Sequence, residues 1–403
     1  MSEIALNSPS KALAHERGNL ARLVLAQAMA GANATIVYAT AGVVGNTLAP
    51  DKALATLPVS IFVCGMAACT LPAGAVAQRF GRRASFLLGT LCGVLVGLIA
   101  CVAVLLGSFW LFCAATFFGG AYAAVVLSFR FAAAECVPPD RRARAISAVM
   151  AGGIAAGVIG PQLVTHTMDL WPPYLFAATY LAQAGLAAIC ALVLAGVRLP
   201  APKESGSSTG RPLAEIALHP RFIAAVMAGV ISYLIMNLIM TSAPLAMRLC
   251  GLSQDDANLG LQWHVIAMYL PSFVTGRVIA RFGAPRVVIA GLILTAFAAA
   301  AGLSGISVGH FWLTLILLGL GWNFGFIGAS AMVVESHRPE EKNKVQSFND
   351  FLVFGLMVLG SFASGGLLNA YGWSMVCWVA LPPLLIAVVT LWVTGSLRVR
   401  RAA

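Results

Sequence analysis

Apolar residues run for about twenty positions at a time along this chain, with short polar intervals between the runs. Twelve such runs lie near 20–45, 54–77, 84–106, 109–133, 145–167, 173–197, 221–246, 257–280, 286–306, 311–334, 348–369 and 374–396. At 1.5 Å per residue, about twenty helical residues cover the roughly 30 Å of a bilayer's hydrocarbon core. Backbone amides cannot stay unpaired in hydrocarbon, so each run must be helical. The pattern predicts an all-α membrane protein of twelve transmembrane helices. Residues 1–19 are polar and lack a small-residue cleavage pattern, so they read as a cytoplasmic tail. The longest polar interval, RLPAPKESGSSTGRPLAEIALHP at 198–220, divides the spans six and six and reads as a flexible cytoplasmic linker. The expected organisation is therefore a tail at 1–19, bundles at 20–197 and 221–396 joined by that linker, and a tail at 397–403.

The two bundles repeat each other. GAVAQRFGRR, Gly74 to Arg83, matches GRVIARFGAP, Gly276 to Pro285, both after the second helix of a half. ECVPPDRRARAIS, Glu135 to Ser147, matches ESHRPEEKNKVQS, Glu335 to Ser347. Six-helix halves in parallel repeat imply a pseudo-two-fold axis along the membrane normal and a substrate path between the halves near mid-membrane.

Composition agrees, with 60% hydrophobic and 10% charged residues. The net charge of +11 would suit nucleic acid, but its distribution says otherwise. Only Lys52 and Arg248 fall in loops on one side, whereas Arg79, Arg82, Arg83, Arg141, Arg142, Arg144, Lys203, Arg211, Arg281, Arg338, Lys342, Lys344, Arg398, Arg400 and Arg401 fall on the other. That asymmetry is the positive-inside pattern; it places both termini in the cytoplasm and makes the lipid bilayer, not nucleic acid, the partner. The nine cysteines form no CxxC pair and read as small apolar packing groups.

Candidate chemistry sits in helices seven and eight. MNLIM places Met236 and Met240 four residues apart, and HVIAM does the same with His264 and Met268. Counted from the outer helix ends, Met240 and His264 share one depth and Met236 and Met268 another, so the four can form two rungs. Thioether sulfur and neutral imidazole suit soft cations, Cu(I) above all. The alternative is packing: Met fills apolar helices, and His264 can be a satisfied structural histidine bonded to Gln262 or Asn237. Cys250, at the outer mouth, is a capture thiol or an isolated one. Shifted by the repeat, Met268 falls on Met66 and Met240 on Tyr38, which places these two across the cavity from the site. The carboxylates all lie in tails, loops or helix ends and no nucleotide-binding loop occurs, so the expectation is facilitated uptake and not an enzyme. Arg130 with Glu335 or Asp350 reads as an inner gate by ion pairing, or Arg130 snorkels to the interface.

At the repeated loop the chain resembles the major facilitator superfamily, over nearly its whole length. The family's signature reads G-x-x-x-D-R-x-G-R-R; Gly74, Arg79, Gly81, Arg82 and Arg83 match, while Gln78 replaces the acid. The resemblance implies that this loop gates alternating access, with the latch here weakened or supplied by another group; a purely topological role for its charges is the alternative. The Arg common in helix four is also missing, with Ala115 in its place, and GVIGP at Gly157–Pro161 is only a remnant of the antiporter motif. The Met and His spacing is similar to the CcoA-type copper importers of this superfamily. That resemblance implies a bacterial inner-membrane importer, acting as a monomer, with Met236, Met240, His264 and Met268 handling copper. Copper is then the transported substrate and not a cofactor, a cytoplasmic acceptor receives it, and it supplies cytochrome oxidase biogenesis. A related branch of similar length carries riboflavin. For such an organic-solute carrier, Trp263, Tyr38, Phe62 and Asn323 would stack on or bond to a flavin-like ring. A non-transporting copper-binding assembly partner would use the same ligands without a through-path.

Overall fold

A computed structural model describes residues 9–138, 141–199, 211–338 and 341–394, with the side chains of 9–15, 78, 134, 142–144, 147, 342–344 and 347 outside the description. The helices are α1 (Pro9–Leu48), α2 (Leu57–Phe80), α3 (Arg82–Leu105), α4 (Phe109–Val126), α5 (Phe129–Glu135), α6 (Arg142–Thr167), α7 (Ala177–Ala195), α8 (Leu213–Ala217), α9 (Pro220–Leu249), α10 (Gln254–Tyr269), α11 (Ser272–Phe282), α12 (Ala284–Ser304), α13 (Val308–Glu335) and α14 (Lys342–Val393). Ten helices among the described residues are long and apolar enough to cross a membrane, and the bent pair α10–α11 makes an eleventh crossing. The apolar stretch Phe348–Val393 has 46 residues, more than twice what one crossing needs. It breaks at Gly372, whose φ of 75° lies where only glycine rests easily, so α14 carries two spans and the crossings come to twelve.

Small residues let neighbouring helices approach closely. A Cβ on Gly97 of α3 would stand 2.5 Å from the Tyr180 carbonyl oxygen of α7, and one on Gly291 of α12 only 2.7 Å from the Gly321 carbonyl oxygen of α13. Replacing Gly291 by Leu should therefore lower thermal stability in detergent by about 1–3 kcal/mol. Gly185→Leu on α7 should be silent, because nothing lies within 4 Å of that position. Large apolar side chains such as Leu192, Trp392 and Val393 are mostly exposed, as lipid-facing positions are.

The chain forms two compact units, residues 1–37 with 68–203, and residues 38–67 with 204–403. The hairpin 38–67, second-span sequence included, is thus packed with the helices that follow the linker. Neutral hydrogen bonds tie it there: Ser60 Oγ to Ser361 Oγ at 3.1 Å, Ser364 Oγ to Thr56 Oγ1 at 3.3 Å, and Asn369 Nδ2 to the Lys52 carbonyl at 2.8 Å.

Within each unit an ion pair anchors the approach to the first helix. In the first unit Arg141 meets Glu16 at 2.7 Å. In the second, Glu341 meets Arg211 at 2.8 Å. Positions 141 and 341 correspond in the internal repeat, so the same contact recurs with its charges exchanged. Glu341 is the more deeply held: its carboxylate also accepts from the Arg211 and Arg338 backbone amides, and its side chain has no exposed surface. The Arg211 fork and these amides hold it well below the usual carboxylate range.

Candidate functional site

Among the described residues α9 is the most enclosed of the long apolar helices, buried almost without interruption from Ala224 to Met247. Its charged residues, Arg221 and Arg248, stand at its ends, so the buried middle is neutral. Met236, Asn237 and Met240 are 2%, 0% and 5% exposed, and none faces lipid. Asn237 Oδ1 accepts a 3.0 Å hydrogen bond from the Tyr38 hydroxyl. The Tyr38 ring meets Phe62 edge-on at 5.5 Å.

His264 is fully buried on α10. Gly319 of α13 explains how it is held: a Cβ there would lie 2.5 Å from the His264 carbonyl oxygen, so only glycine lets the α10 backbone come this near. The approach brings His264 Nδ1 to 2.7 Å from the Leu315 carbonyl oxygen. A carbonyl only accepts, so Nδ1 carries the hydrogen and Nε2 presents its lone pair. Nε2 is buried with no protein partner. The partners expected from the sequence, Gln262 and Asn237, are therefore not what orients this ring: Leu315 does so, and Asn237 serves Tyr38. Met268 is 7% exposed and Met66 is 5% exposed, whereas Gln262 is only half-buried. Cys250 is a half-buried free thiol at the end of α9.

An aromatic cluster lies beside these residues, assembled from α9, α10, α13 and α14. Trp322 and Phe326 stack at 5.2 Å with ring planes 18° apart. Tyr233 stands edge-on to Trp322, Phe326 and Phe354 at 5.5, 5.0 and 5.6 Å. Tyr269 closes a further side, 6.4 Å from Trp322. The Trp322 indole N–H is buried without a partner, as are Asn237 Nδ2, Ser232 Oγ, Thr241 Oγ1 and Ser242 Oγ. Buried donors left unpaired cost free energy unless a ligand or water meets them, so the cluster has the makings of a binding site. Sequence reasoning missed it, although Trp322 and Phe326, and Tyr233 and Asn237, are each spaced i,i+4 on one helix face.

Two residues expected to meet a flavin-like ring are placed otherwise. Trp263 is 44% exposed and turned away from the interior. Asn323 is committed to the break between α10 and α11, where Pro271 interrupts the helical ladder. Its Nδ2 donates to the Met268 carbonyl at 2.6 Å and to Ser272 Oγ at 2.8 Å, and its Oδ1 accepts from Thr275 Oγ1 at 2.6 Å. The amide satisfies backbone that the broken helix leaves orphaned.

At the signature loop, Gly81 holds a φ of 85°, Gly74 has open space about its Cα, and Arg83 is exposed. Arg79 lies over Phe80 at 5.3 Å. The Gln78 side chain lies outside the described residues. Arg82 forms a bidentate pair with Glu135, at 2.7 and 2.6 Å, so an acid from the end of the fourth span meets the loop that lacks its own. Arg130 lies over Phe131 at 4.8 Å. Glu335 is exposed, and Asp350 accepts from Asn349 Nδ2 at 3.1 Å.

The family model for the Major Facilitator Superfamily matches residues 23–261 and 225–402. The chain is 47% identical to the riboflavin transporter RfnT of Brucella anthropi, over 93% of this chain and 95% of that one. It is 28% identical to the MFS-type transporter YddS of Bacillus subtilis, over 90% and 86% of the two chains. Among solved structures, the E. coli xylose transporter XylE in a partially occluded inward-open conformation superposes with a TM-score of 0.74 at 13% identity, covering 94% of this chain and 97% of that one. A bacterial homolog of the human lysosomal transporter Spinster, inward-facing, gives 0.69 at 17% identity, covering 94% and 96%. These structures speak to the fold. The 47% identical relative is a riboflavin transporter, which favours the organic-solute alternative over the copper-importing branch expected from the Met and His spacing.

Proposed function

This chain belongs to the major facilitator superfamily, as a multi-pass transporter of the bacterial inner membrane, and from that premise we propose that it imports a neutral planar aromatic solute of the riboflavin type by alternating access. The observation that carries this reading is the Trp322, Phe326, Tyr233 and Tyr269 cluster with an unpaired indole donor, in a chain 47% identical to a riboflavin transporter. Aromatic faces stack on a planar ring, each pairing contributing about 0.5–1.5 kcal/mol beyond area burial. The edge of an isoalloxazine carries carbonyls flanking an N–H. Unpaired donors at Trp322 Nε1 and Asn237 Nδ2 complement the carbonyls, and the His264 Nε2 lone pair complements the N–H. Uptake of labelled riboflavin into an auxotrophic host expressing the chain tests this; no accumulation above the empty host would sink it.

Copper import is the second reading, and the buried neutral donors Met236, Met240, Met268 and the His264 lone pair favour it. An Nδ1–H bonded to a backbone carbonyl is how metal-ligating histidines are commonly oriented. Under the riboflavin reading, Met236→Ala, Met240→Ala and Met268→Ala should leave radiocopper accumulation at the level of the host alone and at the level of the parent. Copper uptake that depends on all three would reverse the order of the two readings.

A further inference from the structure

Asn237 sits where two features of the second unit meet. One turn below it on α9, four residues earlier, is Tyr233 of the aromatic cluster. Its own Oδ1 takes the hydroxyl of Tyr38, the first residue of the hairpin 38–67. The hairpin is also bonded to Ser361, Ser364 and Asn369 of α14, and the Ala39 carbonyl accepts from Gln254 Nε2 at 3.2 Å. Tyr38 to Asn237 is a tie that reaches the site.

The other end of the same amide is the second observation. Asn237 has no exposed surface, and its Nδ2 has no protein partner. We propose that Asn237 couples cargo to hairpin closure: Nδ2 donates to a carbonyl or ring-nitrogen acceptor on the cargo's edge while Oδ1 retains Tyr38. This rests on the riboflavin-type reading above. An amide that donates through its nitrogen gains electron density on its oxygen and accepts more strongly there, as chained hydrogen bonds polarise one another. Cargo therefore tightens the Tyr38 bond, and by linkage the closed hairpin tightens cargo. A solute of similar shape without an acceptor at that edge stacks in the cluster but does not draw the hairpin shut. All the ties are neutral hydrogen bonds, so they can break and re-form in each transport cycle without stranding a charge.

The test uses the full chain carrying the substitutions Ser60→Cys and Ser361→Cys, whose parent hydroxyls are 3.1 Å apart. Diamide cross-linking reports hairpin closure, and quenching of riboflavin fluorescence on purified protein reports binding. Riboflavin should raise the cross-linking rate on the order of fivefold. Tyr38→Phe should abolish that rise while quenching persists. Asn237→Leu, which keeps the side chain's bulk but can neither accept from Tyr38 nor donate to cargo, should lose the riboflavin-dependent rise. Quenching together with an undiminished rise in Tyr38→Phe overturns the coupling and leaves the cargo assignment standing. Absence of quenching by the unsubstituted protein overturns both.

Discussion

Trp322→Ala should weaken riboflavin binding by roughly 10- to 100-fold, the range that follows from losing a central stacking ring together with its hydrogen-bond donor. Trp322 is 6% exposed, stacks on Phe326, and meets Tyr233 and Tyr269 edge-on, so its removal opens the middle of the cluster and not its rim. Trp322→Phe retains an aromatic face and loses the N–H, so its deficit should lie between that of Ala and the parent. The control is Trp263→Ala: that ring is 44% exposed on the outer face of α10, and riboflavin uptake should not change. Titration of riboflavin fluorescence measures all three. A Trp322→Ala protein that binds as tightly as the parent would remove the cluster from the cargo site.

The largest loss of stability should come from Arg211→Ala. In the parent, Arg211 lies 2.8 Å from Glu341, whose side chain is wholly enclosed, and truncation leaves that carboxylate buried without its counter-charge. The pH dependence carries the sign. Glu341's carboxyl is held well below its unfolded value by Arg211 and the amides, so its stabilising contribution is present above the ordinary carboxylate range. It is lost only as pH falls through the much lower folded value, so mild acid should leave this tether intact. In Arg211→Ala, burial without the guanidinium favours the protonated acid, and the melting temperature should rise relative to the parent as pH falls from 7 towards 4. Adding Glu341→Gln to Arg211→Ala should restore most of the loss at neutral pH. Thermal unfolding of detergent-purified protein across that pH range measures both effects; an Arg211→Ala variant with the parent's pH profile would show that the pair does not matter to the folded state.

Several features were legible residue by residue. The crossings are each set by nearby residues, because a helix in hydrocarbon satisfies its backbone within its own segment. The burial of His264 was legible for the same reason, since it falls at the middle of a span. The exchanged ion pairs were not: matching the repeat sets Arg141 against Glu341, and nothing in either loop names Glu16 or Arg211 as the partner.

What the sequence by itself determined, then, is where the chain crosses the bilayer and which polar groups must lie at depth. Only the tertiary structure decided which of these groups are already satisfied. Trp263 and Trp322 are the same residue type, yet one faces outward and the other is buried against rings of α9 and α10; Asn323 is consumed by a broken helix, while the Asn237 amide nitrogen is unpaired. The reason is geometric. Helical periodicity defines a side chain's position on its own rod, but the rotation of that rod is chosen by close approaches such as Gly319 against the His264 carbonyl, and those depend on residues more than fifty positions away.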